Sequence, residues 1–194
     1  MTLLLALLIP LIIIVVLVVI VLLIWVSYYN RFVVLSNRIK NSFSQIDVQL
    51  KKRADLVPNL VETVKGYAKH EAKIMKEVSD ARKSLVSAND SGNMPARMKA
   101  GDALQNSLGR LFAIAENYPN LKANENFLGL QTELSSIEDK IAYARQAYND
   151  SIMGFDNSVQ TFPGNIFAGQ KFKEQAGKYI QIPEAERAVV KVSF

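Results

Sequence analysis

The chain has 194 residues, 49% of them apolar, with a formal charge of +5, one histidine and no cysteine. Without thiols and with a single imidazole, thiolate zinc sites, iron–sulfur clusters, thiol nucleophiles and the paired Glu-x-x-His site of di-metal bundles are excluded. So modest a charge also speaks against a dedicated nucleic-acid binder, which concentrates Lys and Arg on one face.

The first element is Leu3–Val26, LLLALLIPLIIIVVLVVIVLLIWV, 24 residues without a charge, an amide or a hydroxyl. About 20 apolar residues suffice to carry a helix across roughly 30 Å of hydrocarbon. Trp25, Tyr28 and Tyr29 gather at the run's C-terminal end, where amphipathic rings favour the headgroup level. Leu3, Pro10, Trp25, Tyr28 and Tyr29 are the candidate anchor residues. The flanks lack the basic n-region and small-residue cleavage site of a signal peptide, so residues 1–28 are expected to be an uncleaved anchor that begins at Leu3. Arg31, Arg38 and Lys40 follow the run, and Lys51-Lys52-Arg53 lies further on. The positive-inside rule then puts the N-terminus outside and the bulk of the chain in the cytoplasm.

From Phe32 the pattern becomes periodic. Phe32, Leu35, Ile39, Phe43, Ile46 and Leu50 step by three and four, the stripe of an amphipathic helix. No Pro or Gly separates it from the anchor, so one helix is expected to run on from the span. Lys51-Lys52-Arg53 reads as a solvated helix end. Pro58 then predicts a reversal or sharp bend over residues 55–60, because it cannot donate to the ladder and biases Val57 away from the helical region. A second helix is expected on Leu60, Val64, Tyr67, Glu71, Ile74, Val78, Ala81 and Leu85, ending in the loop Ala88-Asn89-Asp90-Ser91-Gly92-Asn93.

Pro95 opens a third stripe, Met98, Leu104, Leu108, Leu111 and Ile114, which Asn117-Tyr118-Pro119-Asn120 closes. The fourth is the longest: Phe127, Leu130, Leu134, Ile137, Ile141, Ala144, Tyr148, Ile152, Phe155 and Val159, stopped by Phe162-Pro163-Gly164. Four stripes joined by short loops predict an all-α fold, an antiparallel up-down-up-down four-helix bundle over residues 29–163. Residues 164–194 are expected to form an extended, irregular tail. In it, Val189, Val190, Val192 and Phe194 alternate like a strand and are candidate oligomer contacts.

Catalytic chemistry is hard to place. His70-Glu71 starts a zinc-protease motif, but the second histidine would fall at Ile74. Neither a phosphate-binding glycine loop nor a nucleophile elbow is present. Glu71 interrupts an apolar stripe and needs a Lys, Arg or Tyr partner if buried; close approach to Glu133 would favour an enzyme. Asp55, Pro58, Asn59, Tyr118 and Pro119 are assigned to polar and proline-containing loops at the bundle ends.

The block Ser44-Gln45-Ile46-Asp47-Val48-Gln49-Leu50-Lys51-Lys52-Arg53-Ala54-Asp55-Leu56-Val57-Pro58-Asn59-Leu60-Val61-Glu62-Thr63-Val64-Lys65-Gly66-Tyr67 resembles the hallmark of the LemA family of bacterial membrane proteins. So do Ala115-Glu116-Asn117-Tyr118-Pro119-Asn120-Leu121-Lys122-Ala123, Leu130-Gln131-Thr132-Glu133-Leu134, Ala144-Arg145-Gln146-Ala147-Tyr148-Asn149 and Phe162-Pro163. The resemblance implies a single N-terminal span in the inner membrane, a cytoplasmic helical bundle and no enzymatic activity. It links relatives to magnetosome membrane biogenesis and to a membrane zinc protease of the stress-response kind. With it, the expected function is a non-enzymatic, membrane-anchored scaffold that forms homo-oligomers; an adaptor of a membrane zinc protease or signalling protein is the alternative. The bilayer is the expected partner, with no cofactor, metal, nucleic acid or small-molecule substrate. The span has no glycine and one alanine, so close helix contact within the bilayer is disfavoured and assembly should use other parts of the chain.

Overall fold

The computed structural model describes residues 2–180, and every regular element among them is an α-helix. These are α1 (Thr2–Tyr67), α2 (Ala72–Asp90), α3 (Met94–Ala115), α4 (Pro119–Lys122), α5 (Glu125–Gln160), α6 (Gly164–Phe167) and α7 (Gln170–Lys173). Val189, Val190, Val192 and Phe194 lie outside the described residues, as does the side chain of Leu3.

The expected continuity of the span into the amphipathic stripe holds, and α1 goes further, to 66 residues. Pro10 lies within it. From Leu8 to Val26 the side chains are exposed around the whole helix circumference. A helix apolar on every face and covered by no protein is long and apolar enough to cross a membrane.

The reversal expected at Pro58 does not occur. Asp55, Pro58 and Asn59 are in α1, and the turn comes later, at residues 68–71. An interior proline costs about 3 kcal/mol, largely by removing the bond to the carbonyl four residues back. Here that carbonyl is Ala54 O, and Arg82 Nε of α2 donates to it at 2.7 Å. The guanidinium supplies the donor that the pyrrolidine lacks, while Pro58 itself faces outward.

Two compact units are distinguishable. The first is the chain through Ser42 together with Ala147–Ile180; the second is Phe43–Gln146. In the first, Phe32, Phe155 and Phe172 come together, with ring centroids 5.2 Å apart for Phe32–Phe172 and 6.2 Å for Phe155–Phe172. Residues 164–180 were expected to be an extended tail. Instead α6 and α7 fold back, and Phe172 is buried among rings. Apolar burial explains the difference: a seventeen-residue segment with Phe167, Ala168 and Phe172 has rings to cover.

In the second unit the buried stripes are Ile46, Leu50, Val57, Leu60 and Val64 on α1; Ile74, Val78 and Leu85 on α2; Leu104, Leu108 and Leu111 on α3; and Phe127, Leu134, Ile137 and Ile141 on α5. Gly101 of α3 is pressed against Leu50 of α1, so that an added Cβ would stand 2.7 Å from Leu50 Cδ2. The α2–α3 turn uses Gly92 at φ +70° and the Asn93 cap, whose side chain accepts from Ala96 N at 3.2 Å.

Candidate functional site

Three side-chain constellations stand out, and each begins with residues that local sequence places on one helix face. The first lies at the end of the apolar run. Trp25 and Tyr29, one turn apart on α1, stack with centroids 5.8 Å apart. Tyr28 stacks on Phe167 of α6 at 5.9 Å, and Tyr29 meets Phe172 edge-on at 5.9 Å. The rings that hydropathy assigned to the headgroup level therefore also hold α6 and α7.

The second constellation is a clamp on residues 177–180 made by α5. Asn149 Nδ2 donates to Ile180 O at 3.0 Å and its Oδ1 accepts from Ile180 N at 2.9 Å. Tyr148 OH donates to Lys178 O at 3.0 Å, and Asp156 Oδ1 accepts from Gly177 N at 2.9 Å. Burial pushes the Tyr148 hydroxyl above its ordinary pKa. Ser36 Oγ of α1 completes the attachment with a 2.9 Å bond to Gln175 Oε1. Periodicity did not single out Tyr148 or Asn149 as functional; the visible signal was an amide beside a tyrosine on a long helix, followed by a glycine-containing segment.

The third constellation is a set of charges inside the second unit. Arg53 of α1 pairs with Glu138 of α5, Arg97 of α3 with Asp47 of α1, and Arg145 of α5 with Asp102 of α3. Arg97 also lies over the Phe43 ring, 5.5 Å from its centroid, and donates to Asn89 O at 2.9 Å. Arg53 was expected to be a solvated helix end, yet its side chain is 1% exposed while Glu138 is 34% exposed. Burial, with the Arg145 charge beside it, pulls the Arg53 guanidinium down to about 10, and Asp102 pulls the other way. Its position could have been read from the stripe: Ile46, Leu50, Arg53, Val57, Leu60 and Val64 keep an unbroken step of four and three. The same phase passes through Pro58.

Of the assigned loop residues, Tyr118 and Pro119 do lie at a helix junction. Tyr118 precedes α4 and Pro119 occupies its first turn. Tyr118 OH donates to Glu71 Oε1 at 3.0 Å, which supplies the tyrosine partner that Glu71 requires. Glu71 is the residue before α2 rather than a mid-helix position, and Glu133 is exposed. The Tyr118 hydroxyl is raised by its bond to Glu71, then by desolvation. His70 sits in the exposed α1–α2 turn. Among the described residues, no three His, Asp or Glu side chains converge on a point where a metal ion would be held. Half-buried Asp47, Asp102 and Glu138 are committed to arginines, and buried Asp156 accepts from Gly177 N, arrangements that hold helices and chain in register.

Comparison with known proteins agrees with this picture. The model of the LemA family matches residues 42–194. Magnetosome protein MamQ of Magnetospirillum gryphiswaldense is 28% identical over 163 residues, covering 72% of this chain and 60% of that protein. Magnetosome protein MamQ 2 of Paramagnetospirillum magneticum matches to the same extent. Protein LemA of Metamycoplasma hominis is 28% identical over 171 residues, covering 88% of this chain and 76% of that protein. The chain thus spans about 60% of the length of the magnetosome relatives it matches.

Proposed function

Because this chain belongs to the LemA family, we propose that it is a membrane-anchored scaffold without catalytic activity, which assembles with copies of itself in the bacterial inner membrane. The observation that carries this reading is α1: one helix, Thr2–Tyr67, bears both the apolar run and the core stripe with no loop between them. A protein that only needed tethering would function with a flexible linker. An unbroken helix instead favours a role in which position at the bilayer matters.

In the second unit, we take α2, α3 and the adjoining parts of α1 and α5 as an antiparallel four-helix bundle. Arginine–carboxylate pairs between α1 and α5, α1 and α3, and α3 and α5 support that arrangement, as does Arg110 of α3 with Glu77 of α2 at 3.1 Å. Arg31, Arg38 and Lys40 favour a cytoplasmic location for the chain beyond the span. Membrane organisation is the process this reading assigns, and similarity to proteins named for the magnetosome supports it.

Native mass spectrometry of the full chain, extracted in mild detergent without crosslinker, tests the proposal. It should give one discrete multimer of this chain. A monomer would overturn the scaffold reading, and a one-to-one complex with a different membrane protein would replace it with an adaptor role.

A further inference from the structure

Two large apolar side chains are left uncovered where α5 gives way to α6: Phe162 in the turn and Ile166 in α6. Phe162 is 79% exposed and Ile166 is 67% exposed. Isolated apolar residues on a surface are ordinary, but these two are four positions apart on one corner, and the corner is fixed in place. Gly164 between them lies directly on Tyr28, whose Cε1 would stand 3.3 Å from an added Cβ. Phe167 stacks on the same tyrosine.

Tyr28 lies two residues beyond the last apolar residue of the run, Val26, which is about 3 Å of helix rise. The corner is therefore pinned at the depth where the apolar run ends. Cations are held at that level too. Lys171 and Lys173 flank Phe172, the ring that meets Tyr29, and both lysines are exposed. Arg31, two residues past Tyr29, is exposed as well. An apolar pair and a set of exposed cations, tied to adjacent tyrosines at one level of α1, make up the side-chain composition of an interfacial membrane contact, with rings and aliphatics in the acyl boundary and Lys or Arg at anionic headgroups.

We infer that the α5–α6 corner is a second membrane contact: Phe162 and Ile166 enter the headgroup–acyl boundary of the leaflet from which α1 emerges, with Lys171, Lys173 and Arg31 facing its anionic lipids. The inference rests on α1 spanning the bilayer. Its consequence is that the first unit touches lipid through two separate parts of the chain, so that rotation of α1 about its own axis is restricted.

Trp25 is the only tryptophan, which makes the test direct. The full chain is reconstituted in vesicles of phosphatidylcholine and phosphatidylglycerol with bromine at a shallow or a deep acyl position. Native Trp25 reports on the span. In a Trp25→Phe background, Phe162→Trp and, separately, Ile166→Trp report on the corner; both positions are exposed, and circular dichroism verifies the fold. The expected result is blue-shifted corner emission that loses more intensity to shallow bromine than to deep bromine. Corner emission at the water-exposed wavelength and unquenched, with Trp25 quenched, would overturn the inference and leave the anchor standing. If Trp25 is unquenched as well, α1 does not span the bilayer and both readings fall.

Discussion

The two units are built on opposite chemistries. In the first, α1 and α5 are joined to α6 and α7 by rings, Tyr28, Tyr29, Phe32, Phe155, Phe167 and Phe172, and by polar clamps on backbone atoms. In the second, the apolar stripes are accompanied by four arginine–carboxylate pairs, one with its guanidinium fully enclosed. Rings gather stability from area and tolerate small shifts; buried ion pairs contribute little net stability but penalise any register that separates them. The ring-built unit should therefore fail by losing packing, and the charge-built unit by leaving a charge unpaired.

The largest effect follows from the asymmetry of Arg53 and Glu138. Glu138→Ala leaves an enclosed cation beside Arg145 and is expected to cost about 3 kcal/mol in chemical denaturation. Arg53→Met leaves a carboxylate that water can still reach, and the double change Arg53→Met with Glu138→Leu should be close to neutral. Equal losses from both single substitutions would contradict the unequal burial of the pair.

Phe172→Ala should cost about 3 kcal/mol by opening a cavity between Phe32 and Phe155, and it is expected to expose residues 170–180 to protease and hydrogen exchange. Next come two glycines that sharpen the contrast. An alanine Cβ at Gly164 would run into the backbone carbonyl of Ser158, which cannot move without displacing the end of α5; about 2 kcal/mol of destabilisation is expected. Gly101→Ala meets only the tip of Leu50, and the gain in helix propensity of about 1 kcal/mol offsets the shift, leaving Tm nearly unchanged.

The smallest effect is at Tyr118. Its hydroxyl is raised above the ordinary value of 10 by the bond to Glu71, so its contribution is complete below pH 10 and is lost as pH rises through the raised value. Tyr118→Phe should therefore flatten the alkaline fall in Tm while lowering Tm slightly at neutral pH. An unchanged alkaline limb would remove that bond from the account.

Much of this was legible in the sequence. The apolar run, the stripes on α3 and α5, and the existence of turns before and after α3 follow from local pattern, because burial at spacings of three and four is what a helix in a core must show. The bounds of those turns do not, since Ala88, Asn89 and Asp90 finish α2 and Pro119 and Asn120 open α4. What escaped was decided by contacts distant in sequence. Pro58 looks like a break until Arg82 is seen bonding to Ala54 O, and Arg53 looks solvated until Glu138 is found 85 residues away. Yet the phase of Leu50, Arg53, Val57 and Leu60 already disagreed with a reversal, and that signal outweighs proline propensity when a donor is available. The folding-back of residues 164–180 had no periodic signature, since Phe167 and Phe172 belong to single-turn helices.

If α1 crosses the bilayer and continues into a core on the cytoplasmic side, that core is shielded from reagents outside the cell. The chain has no cysteine, so one introduced thiol reports without background. Asn120→Cys, at an exposed position beside Pro119, is treated with a membrane-impermeant maleimide in intact spheroplasts and again after permeabilisation. Labelling is expected only after permeabilisation. Labelling in intact spheroplasts would contradict that placement.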